Sequence, residues 1–387
     1  MRTLEAIDEG VNILVTGDFY GGNRIEELIL KNKYAEIFND LLPEIKKADI
    51  AITNLESALT YSDKTIAKTG PAIKSHPKTI EALQYAGFSL VTLANNHIMD
   101  YGESGLNDTI EILKKESISY VGAGDNIQAA EKPFIFLKKG LSVAILNFAE
   151  NEWSTTHGKR AGANPVDPVK NFNSIQIAKS SSDKVIVITH GGHEMYTLPS
   201  PRMKDLFRFY VDAGADAVIN HHTHCESGYE IYKNAPIFYS IGNFIFDNAD
   251  TKHSEWNEGM AISLMVTKTG VKFSTVHFNQ NDKSLGVRLC SEAESEKRKT
   301  KLNDMNKIIL NDVELEKAFH EWINRQRRLY KSFIEPHKSR VLLALQNRKF
   351  LPSLWSKRKK LFLLNLIRCE AHREVLIGIL EDEISNS

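Results

Sequence analysis

The sequence is short of the residues that mark several large classes of protein. Only three cysteines occur in 387 residues, Cys225, Cys290 and Cys369. They are too few and too scattered for a disulfide framework or a cysteine-ligated zinc cluster, and their scarcity fits a reducing compartment. Net charge is absent. The 49 basic residues balance 49 acidic ones, so no global bias points to nucleic acid. The acidic first ten residues hold no apolar stretch of the signal-peptide kind. No run reaches the uncharged length of a bilayer span. The expectation is a soluble, cytoplasmic protein with no transmembrane segment. Internal repeats and low-complexity tracts are also missing.

What is there is an α/β pattern. Apolar residues make up 42% of the chain, enough for a sizeable core in one large domain or two ordinary ones. Short buried-type strands are predicted at residues 12–17, 50–53, 90–93, 184–189 and 217–219, with strand pairs at 134–148, 229–246 and 260–278. Helices are predicted over 24–47 (interrupted at Pro43), 77–86 before Gly87, 103–116, 171–180 and 201–213. Residues 57–75 and 151–168 read as loops, the second long enough to suggest a working role.

The polar residues sit where the strands stop. The central stretch is Thr92-Leu93-Ala94-Asn95-Asn96-His97-Ile98-Met99-Asp100-Tyr101-Gly102, an apolar strand that ends in two amides and an imidazole. Open α/β sheets present their chemistry at such ends. The other strands stop at Asp18, at Asn54 or Glu56, at His190, and at His222 with His224. Each has a plainer reading: Asp18 as a helix cap, Glu56 as a loop carboxylate, His190 as a satisfied core histidine. His222-Thr223-His224 resists one, because alternation in an extended segment puts both rings on one side. Together these oxygen and nitrogen donors suit two divalent ions such as Mn²⁺, Fe or Zn²⁺. A pair of ions about 3.5–4 Å apart activates water and clamps a phosphate. His193, Glu194 and His221 are pocket candidates. Cys225 reads as a small buried filler.

These segments resemble the CapA-like family of capsule, or poly-γ-glutamate, synthesis proteins, within the calcineurin-like metallophosphoesterase superfamily. The resemblance rests on Gly17-Asp18, Asn54-Leu55-Glu56, Ala94-Asn95-Asn96-His97 with Asp100-Tyr101-Gly102, His190-Gly191-Gly192-His193-Glu194, Asn220-His221-His222-Thr223-His224, and Ile237 to Phe244 with Tyr239-Ser240-Ile241-Gly242-Asn243-Phe244. It implies a four-layer α/β/β/α sandwich. It implies metal-ligand roles for Asp18, Glu56, Asn96, His190, His222 and His224, and a general-acid or phosphate-contacting role for His97. Asn54 and Asn243 join the surrounding pocket. Glu56 is preferred to Asn54 as the bridge, because a bridge between cations gains most from a full negative charge. Where the superfamily has Asp-x-His, this sequence has Asp18-Phe19-Tyr20, which implies a weakly held second ion.

The expected function is a metal-dependent phosphoesterase-like hydrolase of capsule or surface-polysaccharide biosynthesis, in which metal-activated hydroxide attacks a phosphoester. The alternatives are a non-catalytic capsule-assembly component and a γ-glutamyl amide hydrolase. The catalytic domain is expected over residues 1–285 and a basic helical extension over 286–387. Within the extension, Arg325, Arg327, Arg328, Lys331, Lys338, Arg340, Arg348, Lys349 and residues 357–360 accompany Trp355, Phe362, Leu363 and Leu364. Such a segment is either a packed extension with a solvated face or a patch for a partner protein, an acidic polymer or anionic lipid.

Overall fold

A computed structural model describes residues 10–248, 251, 254–334 and 339–368, with positions 377, 380 and 384. The first part of the chain lays down β1 (Val11–Tyr20), β2 (Ile50–Leu55), β3 (Leu90–Thr92) and β4 (Ser119–Val121), with α1 (Arg24–Leu30), α2 (Thr79–Ala86) and α3 (Gly102–Lys115) between them. Then come β5 (Phe134–Lys138), β6 (Leu141–Ala149), β7 (Lys184–His190), β8 (Ala217–His221), β9 (Tyr229–Tyr232) and β10 (Ala235–Phe238). Helices α4 (Pro168–Ser181) and α5 (Pro201–Asp212) flank β7 in sequence. The chain continues as β11 (Asn243–Phe246), β12 (Glu258–Val266), β13 (Val271–Gln280), β14 (Val287–Leu289) and α6 (Glu292–Leu310).

Two sheets result. One runs β14-β13-β12-β1-β2-β3-β4, with β11 added beside β1; the other runs β9-β10-β8-β7-β6-β5. The alternation of side chains along each strand sorts the core into three layers of contact. Ile13 and Val15 of β1 face inward with Ile52, Ile145, Ile188 and Ile219, filling the space between the sheets. Leu14 points the other way and packs with Ile25, Ile29, Leu83 and Leu106. On the far side Val185, Val187 and Val218 pack with Ile175, Phe207 and Tyr210. Strands apolar on both faces need cover on both faces, and the outcome is the α/β/β/α sandwich.

Local chemistry moves several predicted boundaries. Asp167 caps α4 by accepting from the Val169 and Lys170 amides, and Pro168 takes its first turn. The helix therefore starts before Asn171. The predicted 24–47 helix breaks at Asn32 and Asn39, both with positive φ, a conformation asparagine tolerates. Pro43 instead sits in the first turn of a short helix, Leu42–Lys47. The chain divides into two compact units, 1–317 and 318–387. Within the first, α6 lies beyond the boundary expected at residue 285, and the buried Lys204 ammonium donates to the Ile309 carbonyl near its C-terminal end.

Strand β1 also runs further than its sequence predicts. It does not stop at Asp18, because β2 pairs with it in parallel as far as Phe19 and β11 as far as Tyr20, the β11 ladder shifting register between Asp18 and Phe19. Gly17 makes this approach possible. A Cβ there would lie 1.9 Å from the Gly242 carbonyl oxygen. Since the obstacle is backbone, Gly17→Ala is expected to cost about 1–3 kcal/mol by overpacking, measured as a lower urea midpoint at unchanged m-value.

Candidate metal centre

Five polypeptide segments converge at or near one end of the strands. Asp18 sits at the β1 register shift, Glu56 directly follows β2, Asn96 follows β3, His190 ends β7, and His222 and His224 follow β8. Two groups of donors form there, Glu56 with His190 and His222, and Asp18 with Glu56 and His224. The candidate ligand atoms of each group lie within 4.8 Å of one another, and every residue is buried. Glu56 belongs to both groups.

Neighbouring amides hold the donors in place. Asp18 Oδ1 accepts from Asn54 Nδ2 at 2.7 Å, and Oδ2 accepts from the His222 amide at 3.1 Å. The Asn54 oxygen accepts from Thr92 Oγ1 and Asn95 Nδ2, both at 3.2 Å. Asn54 is thus committed to positioning. By contrast, no nitrogen or hydroxyl donor among the described residues hydrogen-bonds to either Glu56 oxygen, though the side chain is fully buried beside the Asp18 carboxyl. His190 Nε2 lies 3.0 Å from Asn96 Oδ1, 3.1 Å from His222 Nδ1 and 3.5 Å from Glu56 Oε1. Asn243 Oδ1 lies 2.8 Å from His224 Nδ1.

The two histidines of His222-Thr223-His224 meet the site by another route than strand alternation. Both have positive φ, 88° and 55°, so the segment is bent rather than extended. The bend sends each ring to a different group, with ring centroids 6.1 Å apart. Non-glycine residues rarely adopt such angles, and they persist where surroundings over-determine them.

Burial dominates the electrostatics. Desolvation, then the neighbouring Asp18 and Glu194 carboxylates, push Glu56 well above the ordinary carboxylate range. Asp18 is also raised by burial, against the opposing pull of His224. Burial drives His190 well below the usual imidazole value and His222 down to about 3. His224 is lowered as well. The neutral imidazoles are already in the form a cation requires, and the raised carboxyls would give up their protons on binding it. A buried charge without a partner is expensive, and the donor set of hard and borderline atoms fits divalent ions.

A cavity of about 450 Å³ is lined by Asn96, His97 and His224. Tyr20, Phe246 and Trp256 add an aromatic wall that continues from His224, whose ring lies 4.5 Å from Trp256. Lys68, Glu152 and Glu194 add charge. His97 stands outside both donor groups. Its Nδ1 lies 2.6 Å from Asp100 Oδ2 and 3.4 Å from Lys68 Nζ, and Lys68 pairs with Asp100. His193 packs by Tyr196. His221 ends β8 in register with His190 and joins neither group; burial takes it down to about 3.

Lys68, Asp100, Glu152 and Trp256 escape the sequence reading as site residues. Asp100 carries a readable signal in its spacing, three residues after His97. Lys68 and Glu152 lie on the two loops 57–75 and 151–168. Trp256 gives no local signal, since its role depends on contact with a ring 32 positions earlier.

The family profile described as "Bacterial capsule synthesis protein PGA_cap" matches residues 12–248. Capsule biosynthesis protein CapA of Bacillus anthracis is 32% identical over 254 residues, 63% of this chain and 62% of that protein. PGA biosynthesis protein CapA of Bacillus subtilis is 31% identical over 254 residues, 63% of this chain and 66% of that one. The matched region thus spans less than two thirds of either relative. A hypothetical protein from Thermus thermophilus superposes with a TM-score of 0.45 at 14% identity, covering 70% of this chain and 99% of that chain. The family match takes in every residue of both donor groups, and the chain belongs to the bacterial capsule synthesis protein PGA_cap family.

Proposed function

We propose that the chain is a metal-dependent phosphoesterase-like hydrolase acting in capsule or poly-γ-glutamate biosynthesis. The observation that carries this reading is Glu56, shared by two donor groups with no nitrogen or hydroxyl donor among the described residues hydrogen-bonded to either oxygen. Glu56, His190 and His222, with Asn96 beside them, would hold one divalent ion; Asp18, Glu56 and His224 would hold the other. Such ions, Mn²⁺, Fe or Zn²⁺, supply positive charge that polarises a phosphoryl oxygen and acidifies water. The protein's own work is positioning and proton transfer. Asp100 fixes the His97 ring through Nδ1, which leaves Nε2 to deliver a proton to the departing oxygen. Lys68 adds positive charge to the cavity wall where an anionic ester would sit.

A second reading is a non-catalytic assembly component. It draws on Tyr20, which lines the cavity and occupies the last position of Asp18-Phe19-Tyr20, where the superfamily pattern has a histidine. Elemental analysis with a chromogenic phosphodiester separates the two. The hydrolase reading expects bound metal and turnover, both reduced in His224→Ala. Stoichiometric metal with turnover at background for a panel of phosphoesters would move the assignment to assembly, and release of glutamate from its γ-linked oligomers would move it to amide hydrolysis.

A further inference from the structure

The residues from Ser339 to Arg368 combine two properties. They include eight lysines and arginines and no aspartate or glutamate. They also display large apolar side chains to solvent. Phe350, Leu354, Leu361, Phe362, Leu364 and Ile367 are each between 44 and 73% exposed. The segment forms two short helices within the second compact unit, α7 (Arg340–Asn347) and α8 (Lys357–Arg368).

Helix α8 concentrates both properties. Its first turn is Lys357-Arg358-Lys359-Lys360, with no acidic residue there. Cations at a helix N-terminus oppose the helix dipole, which favours anions at that end. The rest of the helix is almost wholly apolar: Leu361, Phe362, Leu363, Leu364, Leu366 and Ile367. Lys359 Nζ lies 5.2 Å from the Trp355 ring centroid and 5.4 Å from that of Phe362. Aromatic rings beside lysines are the composition of a membrane–water interface.

We propose that this segment is a docking surface for an anionic lipid bilayer, with the cationic first turn of α8 at the headgroups and its apolar remainder entering the layer beneath them. Charge complementarity selects the partner's sign, since residues 357–360 meet lipid phosphates where the helix N-terminus also attracts them. The apolar residues select a bilayer over a soluble polyanion. An acidic polymer would engage the cations and leave Leu361, Phe362 and Ile367 in water, whereas a bilayer takes in both. The helix cannot cross. Twelve residues rise roughly 18 Å, short of the roughly 30 Å hydrocarbon layer. No described helix is long and apolar enough to span a membrane. Docking of this kind would hold the hydrolase or assembly unit at a membrane face independently of its chemistry.

The test is co-sedimentation of the full chain with phosphatidylcholine vesicles, with and without phosphatidylglycerol. Binding is expected only with the anionic lipid and weakens as salt rises. Changing Lys357, Arg358, Lys359 and Lys360 together to glutamine should lower partitioning on the order of a hundredfold or more. Phe362→Ser with Ile367→Ser should lower it at unchanged charge. Both variants alter exposed positions, and unchanged circular dichroism and metal content would show that they fold. Equal binding to neutral vesicles, full binding by the quadruple variant, or no vesicle binding alongside retention of soluble polyglutamate would each overturn the proposal. The last result would assign the cations to an acidic polymer instead.

Discussion

Glu56→Gln is expected to abolish stoichiometric divalent-metal binding and to cut hydrolysis on the order of a thousandfold or more. Glu56 is the residue common to both donor groups, so one substitution weakens both. The charge stabilisation a metal supplies is worth several kcal/mol, and each 1.36 kcal/mol is tenfold in rate. The same change has a less obvious effect on stability. In the metal-free protein the Glu56 carboxyl is raised, first by desolvation and then by Asp18. Between its ordinary value and the raised one, the unfolded chain has released the proton while the folded chain keeps it. Stability contributed by this group therefore falls as pH rises through that window. The imidazoles act oppositely: burial lowers His190, His222 and His224, so their contribution is lost as pH falls below the ordinary histidine value.

A cation requires the ionised carboxylate and neutral rings together. The gain in melting temperature on adding Mn²⁺ should therefore grow from pH 5 toward pH 8. Glutamine removes the buried acid while preserving its shape. Glu56→Gln should melt above chelator-treated wild type at pH 8 and below metal-loaded wild type, with no gain from Mn²⁺. Differential scanning calorimetry with elemental analysis measures this. A variant that still holds two ions and melts like the loaded protein would remove Glu56 from the centre of the site.

The sandwich is legible in the sequence because its strands are apolar on both faces. Ile13 and Leu14 are adjacent, yet they serve different layers, and an uninterrupted apolar run is how such a strand reads. The donors are legible because they sit at or just past predicted strands. The local geometry that unites them is not. Asp18 lies inside a longer strand because β2 and, more than 200 residues later, β11 both pair with it. His222 and His224 read as alternation, but their positive φ angles are set by surroundings no local pattern records. Trp256 and Lys68 reach the cavity only through tertiary packing. The C-terminal charge pattern is equally visible, whereas the exposure of its apolar residues is not, since leucines at helical spacing ordinarily mean core.

His97 and Asp100 should separate chemistry from stability. His97→Ala is expected to lower kcat about 10²- to 10⁴-fold, the usual contribution of a positioned acid or base. Metal content and melting temperature should hold, because the ring belongs to neither donor group. Asp100→Asn should behave differently. Asp100 is fully buried, accepts from the Ile73 amide at 2.8 Å, pairs with Lys68, and orients His97. The Lys68 side chain is only 5% exposed, so losing its partner leaves a buried charge, at a cost of about 3–5 kcal/mol. Adding Lys68→Met to Asp100→Asn should restore much of that stability, since the stranded charge is gone, yet should not restore turnover, because the His97 ring still lacks its anchor. Urea denaturation and kcat across the four proteins of this double-mutant cycle read the two effects separately. If His97→Ala turns over at the wild-type rate with metal bound, the proton has another source and the ring is only part of the wall. If Asp100→Asn is as stable as wild type, the Lys68 ammonium has found water or another anion, and Asp100 acts on His97 alone.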